Sequence, residues 1–361
     1  MAIISTSKSN NNEKNEKPKP EKIVLKAESN QLDKQFEPSL RPQNLNQYIG
    51  QGRLKELLRV CIGAAKKRED ITSIGHFLLH GSPGLGKTSC AIILARELGS
   101  EAKVFSAPSL SQPKDIIGVL LSLNAGDVLF IDEIHRLNKV TEELLYSAME
   151  DFVLDLTAGK GHAARVMRLP VNRFILVGAT TRLGSISSPL RDRFTHIYKM
   201  EFYSDEELVE IIENTGKVLK FEIKKDGAFE IAKRARGTPR IANRLTRLVR
   251  DFSQHENIKI TEKTDAINAL ELFKVDPNGL EESDKFLLRT IIEKYDGGPV
   301  GVDALAATLG EERQTLEECY EPFLLQSGLL TRTARGRMVT DEAFKCLGLD
   351  RKNSTNQLRI V

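Results

Sequence analysis

The chain has only four cysteines, Cys61, Cys90, Cys319 and Cys346. None are spaced as C-x-x-C, which leaves neither a thiol redox motif nor a zinc ribbon. Buried free thiols in a reducing compartment are the expectation. The histidines are equally scattered: only His76 and His80 stand four apart, and that spacing builds no metal site on a strand. No apolar run approaches the roughly 18 residues needed to span a bilayer. The N-terminus also lacks the apolar core of a secretory signal, so a cytoplasmic protein without membrane contact is expected. Charge of one sign is missing too: 53 Lys+Arg against 50 Asp+Glu leaves a net +3, so any nucleic-acid surface must be local. A chain of 361 residues suits two or three domains.

What is present centres on Gly81-Ser82-Pro83-Gly84-Leu85-Gly86-Lys87-Thr88, a full match to the phosphate-loop pattern G-x-x-x-x-G-K-[ST]. The apolar run Phe77-Leu78-Leu79 before it reads as a buried strand, and Ala91 to Leu98 after it as a helix. Glycines 81, 84 and 86 let the backbone turn its N–H groups onto a polyphosphate at the positive end of that helix. Lys87 would reach the β- and γ-phosphates of ATP, and the Thr88 hydroxyl would bind Mg²⁺.

Strand and helix then alternate: strands at 103–106, 127–131, 173–178 and 196–200, helices at 114–123 and 139–149. This pattern predicts an α/β fold with a parallel sheet covered on both faces. The apolar strand Asp127 to Ile131 runs into Asp132-Glu133, which suits a metal carboxylate and a base that polarises water. Beyond the fourth strand, Thr181, with Thr180 as the second choice, offers a hydroxyl to orient that water. Arg191 and Arg193 flank Asp192 ahead of the last strand, and either fits a cationic fork for a transferring phosphoryl group, supplied to a neighbouring subunit.

Residues 1–36 are polar and read as a disordered tail, followed by an ATPase core over 37–202. Within the core, Leu45, Tyr48 and Ile49 suit either an adenine base or the apolar core, ahead of a helix near 52–67. Residues 152–170 alternate as a β-hairpin, turning at Gly159-Lys160-Gly161, and read as a partner-docking element. A helical lid over 203–276 opens on a capping box, Ser204 with Glu207, and that helix is expected to end at Gly216. Thr238-Pro239-Arg240 starts another helix, with Thr as N-cap and Pro at N1. A cation in a first turn opposes the helix dipole unless an anion faces it, which marks Arg240 as a γ-phosphate contact. Residues 277–348 read as a winged helix, with helices at 284–295, 302–309 and 313–326 and a wing at 329–340. Arg313, Arg332, Arg335 and Arg337 are its candidate DNA contacts. The remaining 349–361 is a C-terminal tail.

Taken together, the phosphate loop, Asp132-Glu133-Ile134-His135-Arg136-Leu137, Gly178-Ala179-Thr180-Thr181-Arg182, Leu190-Arg191-Asp192-Arg193-Phe194, Arg236-Gly237-Thr238-Pro239-Arg240-Ile241-Ala242-Asn243-Arg244 and Gly298-Pro299-Val300-Gly301 resemble the RuvB family of bacterial Holliday-junction branch-migration motors. The resemblance covers about 37–348. It implies an AAA+ P-loop core, a lid, a winged helix and a homo-hexameric ring around duplex DNA, with Holliday junctions as substrate. It also implies a junction-binding partner, RuvA, docked on the hairpin, and the resolvase RuvC downstream. By match to the family, Leu40, Arg41, Ile49 and Tyr203 frame base and ribose. Gly84, Leu85, Gly86, Lys87, Thr88 and Ser89 hold phosphate, while Thr88 and Asp132 hold Mg²⁺. Glu150, Asp151 and Phe152 join the nucleotide set together with Arg193, the trans-acting finger, and Arg240 is the lid sensor. The chain departs from the family's usual residues at Ser82, at Ser89-Cys90 and at Thr195, where glycine is usual. An AAA+ winged-helix replication initiator and a transcription regulator remain as other readings.

Overall fold

The computed structural model describes residues 40–158 and 165–349. The 1–36 tail, the hairpin tip at 159–164 and residues 350–361 of the C-terminal tail lie outside the described residues.

Five strands, β1 (Phe77–His80), β2 (Ala102–Ser106), β3 (Val128–Asp132), β6 (Ile175–Thr180) and β7 (His196–Lys199), form one sheet in the order β2-β3-β6-β1-β7. All of its pairs are parallel. Side chains alternate across a pleat, and both faces find apolar cover: Leu78, Leu129, Ile131 and Leu176 enter one core, and Phe77, Val128, Phe130, Ile175 and Val177 the other. The strand order positions the site. β6 lies between β1 and β3, so its C-terminal tip falls between the phosphate loop and Asp132, where open parallel sheets bind ligands.

The predicted hairpin is present as β4 (Val153–Ala158) and β5 (Arg165–Pro170), antiparallel from Val153↔Pro170 to Ala158↔Arg165. Leu154 is fully buried beneath its base, and Arg168 grips Asp155 through Nε at 2.7 Å and Nη2 at 2.9 Å.

Helices Asp205–Val218, Lys225–Lys233, Pro239–His255 and Lys263–Leu272 make the lid, tied by the short strands β8 (Glu222–Ile223) and β9 (Ile260–Thr261). The Ser204/Glu207 capping box forms as expected. Gly216, however, does not stop its helix, which continues to Val218. A Cβ at Gly216 would lie 2.8 Å from the Phe221 carbonyl oxygen, so close approach, rather than a cap, requires glycine there. Thr238 stands at the N-cap, but its hydroxyl turns back to donate to Ala235 O at 3.1 Å.

The last unit packs its own core around Leu287, Leu288, Ile291, Leu305, Leu316 and Leu324. Helices Glu282–Tyr295 and Val302–Leu309 precede a third that is not a continuous α-helix: Arg313–Thr315 and Glu321–Gln326 flank a π turn, Leu316–Tyr320. Pro322 has no N–H to donate to the carbonyl four residues back, at Glu318, and the widened turn accommodates the lost bond. β10 (Leu330–Thr333) and β11 (Gly336–Val339) form the wing. The cysteines correct one expectation: all four are free, but only Cys90 is buried, Cys61 and Cys346 are half-buried, and Cys319 is exposed.

Candidate active site

Left-handed backbone shapes the phosphate loop, with φ of +140° at Gly81, +83° at Gly84 and +96° at Gly86. The following helix, Lys87–Leu98, therefore starts four residues earlier than its apolar periodicity suggested. Lys87 is 7% exposed, and its Nζ donates to Gly81 O and Ser82 O, both at 2.9 Å, curling the loop about its own ammonium. Burial lowers its pKa while Asp132 and Glu133 oppose that shift. The cavity thus holds a cation whose carbonyl partners a polyphosphate can replace.

Asp132 ends β3, and burial, then repulsion from Glu133, raises its carboxyl pKa. That is the environment in which a cation is welcome. Thr88 lies in the first turn of the helix after the loop, and Ser89 follows it. Thr88 and Asp132 together supply the hydroxyl and carboxylate that fit Mg²⁺.

Glu133 adopts a left-handed conformation, φ 49°. Its Oε2 accepts from Thr181 Oγ1 at 3.2 Å and lies 3.3 Å from His135 Nδ1. The His135 Nδ1 is 2.8 Å from Thr180 Oγ1, which also accepts from the Arg182 N–H at 2.9 Å. The two threonines are thereby distinguished: Thr181 touches the proposed base directly, whereas Thr180 is fully buried and reaches it through His135. Sequence reading missed His135. Its only signal is its place in the turn directly after the acidic pair.

The lid closes one side. A Cβ added at Gly84 would lie 3.1 Å from Arg240 Cβ, so the first turn of the lid helix rests on the loop. Tyr203 donates to Leu85 O at 3.2 Å and lies on the Gly50 backbone beside Ile49; burial pushes its phenol up to about 12. Tyr48, which the sequence left between an adenine contact and the apolar core, is its companion: it is buried in the core, with its hydroxyl 3.4 Å from Gly86 O. Leu40, Arg41 and Ile49 are half-buried nearby in sequence, and Leu40 packs on the core that contains Tyr48 and Tyr203.

A second cluster stands apart. Arg193 donates to Glu150 Oε2 at 3.0 Å and to Pro189 O at 2.7 Å, and its guanidinium lies 4.5 Å from the Tyr146 ring centre. Asp151 is exposed beside Glu150, and Phe152, at φ 54°, packs edge-on against Phe174. Among the described residues Arg193 makes no contact with its own phosphate loop. Its Nε is buried without a hydrogen-bond partner. Thr195 lies over Gly75, where φ is 82° and a Cβ would meet the Thr195 Cβ at 2.8 Å. The side chain replacing the usual glycine is accommodated by a glycine opposite.

The wing arginines divide unevenly. Glu321 is fully buried and takes Arg337 Nε on Oε1 and Arg332 Nε on Oε2, both at 2.8 Å. Arg337 also donates to Glu317 at 3.3 Å, and Arg313 donates to Glu317 at 3.2 Å. Arg335 is exposed at the turn with no side-chain partner among the described residues.

Three family descriptions match the chain: the Holliday junction DNA helicase RuvB P-loop domain over residues 40–200, the RuvB AAA lid domain over 203–276 and the RuvB C-terminal winged helix domain over 277–348. The Holliday junction branch migration complex subunit RuvB of Nostoc punctiforme is 50% identical over 98% of each chain. That of Crocosphaera subtropica is 51% identical over 95% of this chain and 96% of its own. The chain belongs to the RuvB family. The RuvB family's fold is also seen in the solved Thermotoga maritima RuvB Holliday junction branch migration motor, 48% identical with a TM-score of 0.78, covering 86% of this chain and 99% of that one. RuvB membership makes the chain a nucleotide-binding P-loop ATPase of the AAA+ class, with an AAA lid and a winged helix. Among the described residues no helix is long and apolar enough to cross a membrane.

Proposed function

We propose that the chain is an ATP-driven motor of Holliday-junction branch migration in recombination and DNA repair, working in the cytoplasm as a homo-hexameric ring that draws duplex DNA through a junction-recognition complex. The observation that carries this reading is the split of the catalytic groups. Lys87, Asp132, Glu133, Thr181 and Arg240 converge on one loop, while Arg193 is held by Glu150 away from it. A site completed only by a neighbour's arginine requires a ring or filament, and a ring is the form that can encircle a duplex.

In this mechanism the loop N–H groups and Lys87 bind the β- and γ-phosphates of ATP, and Glu133 takes the proton of the attacking water, which Thr181 helps orient. Thr88 and Asp132 would hold Mg²⁺, which would supply charge neutralisation to the bound phosphates. Arg193 of the adjacent subunit meets the developing γ-phosphate charge, with Glu150, Asp151 and Phe152 building that face, and Arg240 couples the lid to the same phosphate. Leu40, Arg41, Ile49 and Tyr203 form the base and ribose pocket. Arg335, then Arg313 and Arg332, would carry phosphate contacts to the duplex. The division into a core over 37–202, a lid over 203–276 and a winged helix over 277–348 is supported by the boundaries at which the three family matches meet. The partners are a RuvA-type junction binder on the 152–170 hairpin, where Met167 is 49% exposed, and a RuvC-type resolvase downstream. Branch migration exchanges equal numbers of base pairs, so the motor's main contribution is direction.

The replication-initiator reading is not favoured, since the relatives carry the branch-migration name throughout their length. The test is a synthetic four-way junction with ATP, with and without the junction-binding partner, beside Lys87→Ala. ATP-dependent conversion to two-armed products, stimulated by the partner and absent in the variant, is expected. ATP turnover without junction processing would overturn the reading.

A further inference from the structure

Two arginines leave the nucleotide site for the winged-helix unit. Arg236, four residues before Arg240, binds the fully buried Asp284 at 3.0 Å and Glu281 at 3.4 Å, with its guanidinium 4.1 Å from the Phe323 ring centre. This contact anchors the lid. The other arginine is more informative. Arg182 directly follows Thr181, the residue that donates to Glu133, and its own N–H is fixed on Thr180 Oγ1. Its Nε is paired with Glu318 Oε1, in the π turn Leu316–Tyr320. The pair is partly shielded, with side chains 28% and 23% exposed, so solvent screens it only in part.

Glu318 is also separated from the DNA-facing cluster. Its neighbours Glu317 and Glu321 hold Arg313, Arg332 and Arg337, while Glu318 reaches the ATPase core. π turns inserted into α-helices recur at functional positions.

We propose that Arg182 and Glu318 are positioning residues: their ion pair holds the tip of β6, and through Thr181 the Glu133 carboxylate, so that ATP turnover depends on whether the winged-helix unit is docked on the core. The inference rests on the reading of Glu133 as the hydrolytic base. In the docked arrangement one Glu133 oxygen is shared by Thr181 and His135, which restrains the base. Duplex DNA that shifts the winged helix would draw Glu318 from Arg182 and free the strand tip. The docked form is therefore the held one, and DNA relieves it.

The experiment is steady-state ATP hydrolysis by the full chain with and without duplex DNA, comparing wild type, Glu318→Gln and the reversed pair Arg182→Glu with Glu318→Arg, with melting temperature and DNA affinity measured alongside. Glu318→Gln is expected to raise DNA-free kcat about two- to fivefold, the effect of a partly screened pair. KM for ATP, melting temperature and DNA affinity should stay at wild-type values, and the stimulation by DNA should fall by the same factor. The reversed pair should restore the wild-type ratio. Glu318→Asp, which keeps the charge, should lie between wild type and Gln. A Glu318→Gln chain with unchanged kcat in both conditions overturns the positioning role alone. So does one whose kcat falls together with its melting temperature, or one whose gain the reversed pair does not cancel. Absence of ATP turnover in the wild type, or equal turnover in Lys87→Ala, would instead overturn the ATPase reading on which the proposal rests.

Discussion

Replacing Arg337 with methionine should destabilise the wing far more than it weakens any direct DNA contact. Arg337 is 13% exposed, and Glu321, its partner, is 0% exposed at the side chain. Methionine keeps most of the stem and its packing while removing the guanidinium, so the main loss is the charge that compensates Glu321. Breaking a buried pair by removing one partner costs roughly 3–5 kcal/mol. Here Arg332 stays behind on Glu321 Oε2, although it is 51% exposed, which brings the expected cost down to about 2 kcal/mol. For a unit of this size each kcal/mol shifts the midpoint by about 4–8 °C, so the winged-helix transition should fall by roughly 8–16 °C. Scanning calorimetry of the full chain would resolve it, with hydrogen exchange at the wing amides identifying the transition. Arg335→Ala is the counterpart. It should leave melting unchanged, weaken duplex binding and reduce the salt dependence by about one counterion. An Arg337→Met chain that melts like wild type yet loses DNA binding would refute the reasoning, because the arginine would then be reading DNA and not neutralising Glu321.

Arg193→Ala should keep ATP affinity and lower turnover by roughly 10³–10⁵-fold in a single-turnover assay; surviving turnover would transfer the role to Arg191 or to no trans arginine. His76 accepts from the Leu176 N–H at 2.9 Å and is 3.2 Å from Met149 O, and burial lowers its pKa below the ordinary 6.5 despite the Met149 bond. The folded form therefore binds fewer protons than the unfolded chain. The stability His76 confers is full above pH 6.5 and is lost as pH falls below it, so the urea midpoint of the core should drop there and His76→Gln should flatten that drop. At Gly84, φ is +83° and an added methyl would stand 3.1 Å from Arg240 Cβ. Alanine there should strain the loop by about 1–2 kcal/mol and raise the nucleotide Kd about tenfold, with little change in overall melting.

Much of the site was legible because its signals are local. Glycines needed at positive φ, a lysine and hydroxyl at a helix start, and two carboxylates at the end of an apolar strand lie within a few residues of one another, and the strand order then brings the separate pieces together. What was hidden depends on partners far along the chain. Arg337 looks like a wing contact until Glu321, sixteen residues earlier, is seen to be buried beneath it. His135 meets Thr180, forty-five residues away, as well as the nearby Glu133. Gly216 is different, since its cause is local: it resembles a helix stop by residue type, but the chain turns back just past the helix end and brings the Phe221 carbonyl against it. Cys319 falls inside a predicted helix yet faces solvent, since periodicity cannot locate the outward side of a helix interrupted by a π turn.

That interruption also accounts for the division of labour among three neighbouring glutamates. Residues four apart on a helix share a face, and consecutive residues point about 100° apart. Glu317 and Glu321 accordingly look the same way and collect the wing arginines, while Glu318 is turned aside toward Arg182. The proline that follows Glu321 removes the donor that would have tightened this segment, and the wider turn keeps the two directions distinct. One short stretch, set by Pro322, thus presents carboxylates to the wing arginines on one side and to the tip of β6 on the other. Any displacement of the wing is transmitted along a helix held at both faces by charge, and its nearest mechanical load is the residue beside Thr181.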